Sequence, residues 1–337
     1  MVANGQSPPR AVVAVAASAG GVDAISAFVA SLPRDFHAAV LVVLHVPPAG
    51  PSVLPSILSR VGGLPAVHPL DGDALKEGII YVAPPDRHMA VTRNKVRVHT
   101  GPRENGHRPA ADVLLRSVAE LFGSRSAGVV LSGTMDDGAV GLRAIGSVGG
   151  FTLVQDPAEA AFPGMPAAAI EEAEPDVVGS VPDLAARLCR WVSELSEMPA
   201  FETPEPDAVD PRPDQHLTAL TCPECGGTLW QRADYGAERF RCRVGHSFSA
   251  DGLMVGKQTA LESALWAAIV ALQERADLSK RIVERLKASG RPTQIDRYRT
   301  DIREAEQRAR VLSDLMGDLV QGVSTIHVED IHGGTSS

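Results

Sequence analysis

Aromatic side chains make up only 4% of this 337-residue chain, so its core has to be assembled from valine, leucine, isoleucine and alanine. Long apolar runs are missing as well. None approaches the roughly 18 residues of a membrane span, which excludes a transmembrane helix. Cysteine is limited to four positions. Three of them fall in a metal-like pattern, which points to a reducing cytoplasm rather than to a disulfide framework. Positive charge is the minority sign, with 32 Lys and Arg against 41 Asp and Glu and a net charge of −9. That balance argues against a general nucleic-acid binder. No G-x-G-x-x-G run and no P-loop lysine is present, which weakens a nucleotide-binding reading. At 44% hydrophobic residues the chain still builds a real core, and its length leaves room for about two domains.

The first apolar run, Ala11 to Ala17, is continuous and valine-rich, as in a strand buried on both faces. Arg10, this run and Ala17-Ser18-Ala19 imitate a secretory leader with its A-x-A site. The run is minimal, lacks leucine and follows Pro8-Pro9, so a first core strand is the better reading. Val22, Ile25, Phe28, Val29 and Leu32 then mark one face of a helix. Ser18 thus sits on a sharp strand-to-helix turn, with Gly20 and Gly21 supplying steric freedom. That is the logic of a nucleophile elbow, an attacking oxygen beside the free N–H groups of a helix start. The plainer alternatives are a helix cap or a phosphate cradle.

Further buried strands are expected at 39–46, 79–83, 127–131, 151–155 and 176–178, with an antiparallel hairpin over 89–99. Helices are expected at 51–61, 109–122, 139–148 and 182–195. Alternating strands and helices predict an α/β fold, a doubly wound and mostly parallel sheet, with its site beyond the carboxyl ends of the strands. Ser18, His45 and Asp137 all fall at those ends. Nucleophile, base and orienting carboxylate would form an acyl-transfer triad. Each has a bland reading: His45 as a strand-end histidine on backbone, Asp137 as the cap of the next helix. Asp136 competes with Asp137. The chain order Ser–His–Asp is not that of the α/β-hydrolases.

Six ordered blocks carry a resemblance: AASAGG at 16–21, VVLHVPP at 42–48, YVAPPDRHM at 81–89, HRPAADVLL at 107–115, LSGTMDDGAVGL at 131–142 and FPGMPAAAI at 162–170. Over about residues 10–190 the chain resembles the catalytic domain of CheB-type chemoreceptor methylesterases. The resemblance implies a hydrolase of glutamate methyl esters on chemoreceptor helices, with deamidation of glutamine in some members. It implies Ser18 as nucleophile, His45 as base and Asp137, before Gly138, as orienter. Backbone N–H groups of Ala19, Gly20 and Thr134 are the expected oxyanion donors. Two residues depart from the family pattern: Ala19 stands where threonine is usual, and Thr134 where the fifth block usually has methionine. Ser18 also comes too early for the usual N-terminal receiver domain, so a stand-alone form is expected. The alternative function is a non-catalytic signalling adaptor.

Residues 1–10 read as a disordered leader and 11–195 as the catalytic domain. The proline- and acid-rich 196–218 reads as a linker. Within 219–256, Cys222 and Cys225, then Cys242 and His246, present two knuckles in the pattern C-x2-C, sixteen residues, C-x3-H. Four such ligands suit a structural zinc with no open position for catalysis; a redox C-x-x-C is the alternative. The ribbon's charges nearly cancel, which favours protein binding or support over nucleic acid. Cys189, on a helix face, reads as a buried thiol. Residues 257–322 form a helical hairpin broken at 289–292, for self-packing, homodimerisation or docking onto receptor helices. The tail, 323–337, is expected to be disordered.

Overall fold

A computed structural model of the chain describes residues 9–48, 52–196, 215–288 and 295–329. Most of the expected leader and linker, the 289–292 break and the last residues of the tail lie outside these. Up to Ser196 the elements are β1 (Val12–Ala17), α1 (Gly21–Ala30), β2 (Ala39–Leu44), α2 (Leu54–Val61), β3 (Ala66–Val67), β4 (Ile80–Val82), β5 (His88–Thr92), β6 (Lys95–His99), α3 (Ala111–Phe122), β7 (Ser126–Val130), α4 (Ala139–Ser147), β8 (Phe151–Gln155), α5 (Gly164–Ala173), β9 (Val177–Gly179) and α6 (Val181–Ser196).

Seven strands form one parallel sheet in the order β3-β4-β2-β1-β7-β8-β9. Every residue of β1 and β2 is buried, as their unbroken apolar runs predict. Alternate side chains face two cores. Val13, Val15, Val40 and Val42 pack with Ile25, Phe28, Leu58, Leu184 and Leu188 on one face. Val12, Ala14, Leu41 and Val43 pack with Leu114, Leu115, Leu142, Ile145 and Met165 on the other. The sheet is therefore sandwiched between two helical layers. Chain direction across the sheet reverses between β1 and β7, and at that switch point the loops after β1, β2 and β7 converge.

The expected β5–β6 hairpin is present and turns at Arg93 and Asn94, both with positive φ. Two elements escaped the sequence reading: the two-residue β3 and helix α5. The latter carries Pro166 in its first turn, where a missing N–H leaves no helical bond unmade.

A four-stranded antiparallel sheet follows, β10 (His216–Thr221), β11 (Thr228–Asp234), β12 (Ala237–Cys242) and β13 (Ser247–Phe248). It forms one compact unit with everything before it, up to Met254. Helix α7 (Ala250–Ala288) starts seven residues earlier than expected, and α8 (Ile295–Glu329) runs past position 323, where a disordered tail was expected. From Val255 onward the chain is a second unit. Within it Arg275 and Ser279 bond Asp301, and Lys280 pairs with Glu306, so polar contacts clip the two helices together. Among the described residues no helix is long and apolar enough to cross a membrane.

Candidate active site

The chain leaves β1 at Ala17 and enters α1 through Ser18, Ala19 and Gly20. Gly20 caps the helix with φ +70°, a left-handed conformation that a side chain resists, and a Cβ there would come within 2.8 Å of Ser132 Oγ. The Gly21 N–H closes the turn on Ser18 O at 2.9 Å, and the Ser18 N–H donates to Ser132 O at 3.0 Å. Among the described residues the Ser18 hydroxyl makes no hydrogen bond, nor do the Ala19 and Gly20 N–H groups. Ser132 braces the turn. Its hydroxyl donates to Ala19 O at 2.8 Å and accepts from the Phe162 N–H at 3.0 Å.

β1 and β2 run in register with Ala17 beside Leu44, and the His45 N–H donates to Ala17 O at 3.1 Å. Ser18 and His45 therefore occupy the next rung of the same strand pair. The His45 side chain is 7% exposed, with Nε2 2.8 Å from Asp137 Oδ2. Its Nδ1 is buried and has no partner. It is Asp137, not the competing Asp136, that bonds the ring, and the buried Oδ1 of Asp136 is unpaired.

Asp137 does not cap its own helix. It accepts from the N–H groups of Ala111 at 2.6 Å and Asp112 at 3.1 Å, at the start of α3, and from Asn105 Nδ2 at 3.4 Å. Asp112 returns the arrangement: its Oδ1 accepts from the Gly138 and Gly141 N–H groups at 3.0 and 2.7 Å. Each helix start is thus capped by an aspartate from the other. Burial pushes Asp137 upward, but the hydrogen bond from His45, the charges of His45 and His107 and the Ala111 N–H together hold it below the ordinary carboxylate range.

Sequence reasoning missed His107, which lies in the fourth block without an assigned role. Its ring stacks on His45, centroids 3.8 Å apart and planes 9° apart. Burial, and then the charge of His45, push its pKa down to about 4. It also missed a buried ionic network: Glu104, Asp112, Arg116 and Arg239. Glu104 is held at about 2, burial opposing and Arg116 and Arg239 prevailing. Asp112 is pushed up to about 7 by burial and by Asp137. No local motif announces such a network, because Arg239 lies 127 and 135 positions from Asp112 and Glu104.

Thr134 is exposed and follows Gly133, which closes on the serine turn: a Cβ at Gly133 would meet Met165 Sδ at 2.1 Å and Ser18 Cβ at 3.0 Å. The loop after β7 consequently lies against Ser18 at Gly133.

In the antiparallel sheet the side chains of Cys222, Cys225, Cys242 and His246 converge, their ligand atoms all within 4.8 Å of one another. Cys225 Sγ lies 3.6 Å from Cys242 Sγ, and His246 Nδ1 lies 3.7 Å from Cys222 Sγ and 3.5 Å from Cys242 Sγ. A tetrahedron with metal–sulfur bonds of about 2.3 Å and metal–nitrogen bonds of about 2.05 Å has edges of about 3.6–3.8 Å. The four residues fit a closed metal site. Cys189 is half-buried and packs against the sheet core, away from the cluster.

An open parallel sheet with a histidine–aspartate pair and a serine turn at the carboxyl ends of its strands defines a doubly wound α/β protein with its candidate site at the switch point. The sequence matches the CheB methylesterase family over residues 13–188, just over half the chain, and the chain belongs to that family. It is 36% identical over 191 residues to the protein-glutamate methylesterase/protein-glutamine glutaminase 2 of Methanosarcina mazei, covering 54% of this chain and 52% of that protein. It is 38% identical over 175 residues to the protein-glutamate methylesterase/protein-glutamine glutaminase of Pyrococcus horikoshii, covering 51% and 48%. The chain therefore spans about half the length of these relatives. The crystal structure of the Thermotoga maritima CheB methylesterase catalytic domain superposes with a TM-score of 0.52 at 28% identity, covering 56% of this chain and all of that one.

Proposed function

We propose that this protein hydrolyses glutamate methyl esters on chemoreceptor-like signalling proteins through Ser18, His45 and Asp137. One observation carries the reading: a buried His45–Asp137 pair at the carboxyl edge of the sheet, one strand from the Ser18 turn. Asp137 accepts from Nε2–H, and this tautomer leaves Nδ1 as the free base. In the reaction Nδ1 takes the Ser18 proton as Oγ attacks the side-chain ester carbonyl. The tetrahedral oxyanion is held by the unengaged N–H groups of Ala19 and Gly20, with Thr134 across the site. The imidazolium returns its proton to the departing methoxide, giving methanol. Water, deprotonated by the same nitrogen, then releases the glutamate. The same sequence on a glutamine amide would release ammonia. The substrate class rests on the family and on the names of the relatives.

Cys222, Cys225, Cys242 and His246 would hold a structural zinc that takes no part in catalysis. The helical hairpin would serve docking or self-association, and the metal-like spacing of the cysteines supports a cytoplasmic location. The test is methanol release from a methylated receptor. Wild type should release methanol and Ser18→Ala should release none, with its metal content unchanged. An active Ser18→Ala protein would exclude this nucleophile, and a wild type that releases no methanol would favour the adaptor reading.

A further inference from the structure

We infer that Arg239, supplied by the metal-binding antiparallel sheet, is a positioning residue for the His45–Asp137 pair. The inference rests on the esterase reading above. Arg239 is fully buried, while Glu238 just before it and Arg241 two residues after it along β12 are exposed. Its Nη1 donates to Asp112 Oδ2 at 3.2 Å and its Nη2 to Glu104 Oε1. Both carboxylates act on the pair. The Asp112 backbone N–H donates to Asp137 Oδ1, and its Oδ1 fixes Gly138, the residue after Asp137. Glu104 opens the 104–107 turn, exchanging backbone hydrogen bonds with His107 at 3.2 and 2.9 Å. That turn carries Asn105, bonded to Asp137, and His107, stacked on His45. One guanidinium therefore ties down both supports of the pair.

Among the described residues no other cation is hydrogen-bonded to Asp112. Arg116 bonds both oxygens of Glu104, at 2.7 and 2.8 Å, and approaches Asp112 Oδ2 only to 4.0 Å. Without Arg239, Asp112 becomes a buried carboxylate beside Asp137 with no cation bonded to it. It must then take up a proton or move, and either change disturbs the start of α4 behind Asp137.

The test uses the full chain. Reaction of Ser18 with a fluorophosphonate probe and methanol release are both measured, with metal content and circular dichroism as controls on the fold. Arg239→Gln should lower kcat roughly ten- to hundredfold with KM within about twofold, because the pair is misplaced while the substrate surface is not. Asp112→Asn keeps an oxygen for the Gly138 and Gly141 N–H groups and removes the charge. In that background Arg239→Gln should cost less than about threefold, since the Asp112 charge is gone and Arg116 still holds Glu104. A folded Arg239→Gln enzyme with wild-type kcat overturns the assignment. So does an equal loss in both backgrounds, which would mean packing alone. If the single variant does not fold, the Asp112→Asn background decides. A wild-type protein unlabelled at Ser18 and releasing no methanol would instead overturn the esterase reading, and this assignment with it.

Discussion

A carboxylate kept ionised in a dry pocket needs donors, and Asp137 has the His45 ring, two backbone N–H groups and the Asn105 amide. Asp137→Asn should therefore fail twice. Whichever way the amide turns, its NH2 faces a backbone N–H, at a cost of about 1–3 kcal/mol in stability. Donation from the amide to Nε2 would also place the ring proton on Nδ1, the nitrogen needed as base. A kcat loss of about 10⁴ is expected in a methanol-release assay. His107 yields a different prediction. Its pKa falls from 6.5 to about 4 on folding, so between those values the unfolded chain binds a proton that the folded chain does not. Stability is therefore lost as pH falls through that window, and Asp112, raised to about 7, opposes this trend. Comparison with His107→Phe, which keeps a stacked ring, isolates the histidine. From pH 7.5 to 4.5 the wild type should lose about 2 kcal/mol relative to the variant in urea unfolding.

At the scale of elements, the parallel sheet and its helices were legible because burial on both faces leaves unbroken apolar runs, and helices leave a 3.6-residue period. The serine turn was legible from its small residues. Helix α5 was not, because Gly164 and Pro166 near its start resemble a loop. The antiparallel sheet was legible as a metal ribbon but not as part of the catalytic unit. Arg239 sits in the strongly charged run RFRCR, which reads as a solvated strand. Its burial, and the Ser249 N–H and Ser247 carbonyl bonded to Asn105, are decided by packing. Metal removal should follow this coupling. A chelator, or Cys222→Ser, should release about one equivalent of zinc, unfold the ribbon and lower methanol release in step with the metal lost. Full activity of the metal-free protein would separate the two.

For the whole molecule, the second unit leaves apolar side chains uncovered. Trp266, Val270, Leu278 and Val311 are exposed, while Ile269, Ala276, Val283 and Ala309 fill the interior of the unit. Several exposed apolar side chains on a helical hairpin suit self-association. Sedimentation should show a species heavier than the 35.5 kDa chain, reduced to monomer by Leu278→Lys with esterase activity retained. A wild-type monomer would leave the exposed face to another helical partner.

The amino-acid sequence alone determined the α/β class, the strand ends at which Ser18 and His45 stand and the four residues of the metal-like cluster, since each depends on residue type at short spacing. Tertiary structure alone set the Ala111, Asp112 and Asn105 donors around Asp137, stacked His107 on His45 and buried Arg239 among carboxylates. Those choices depend on which loops meet at the edge of the sheet, and residues about a hundred positions apart carry no local pattern that announces their meeting.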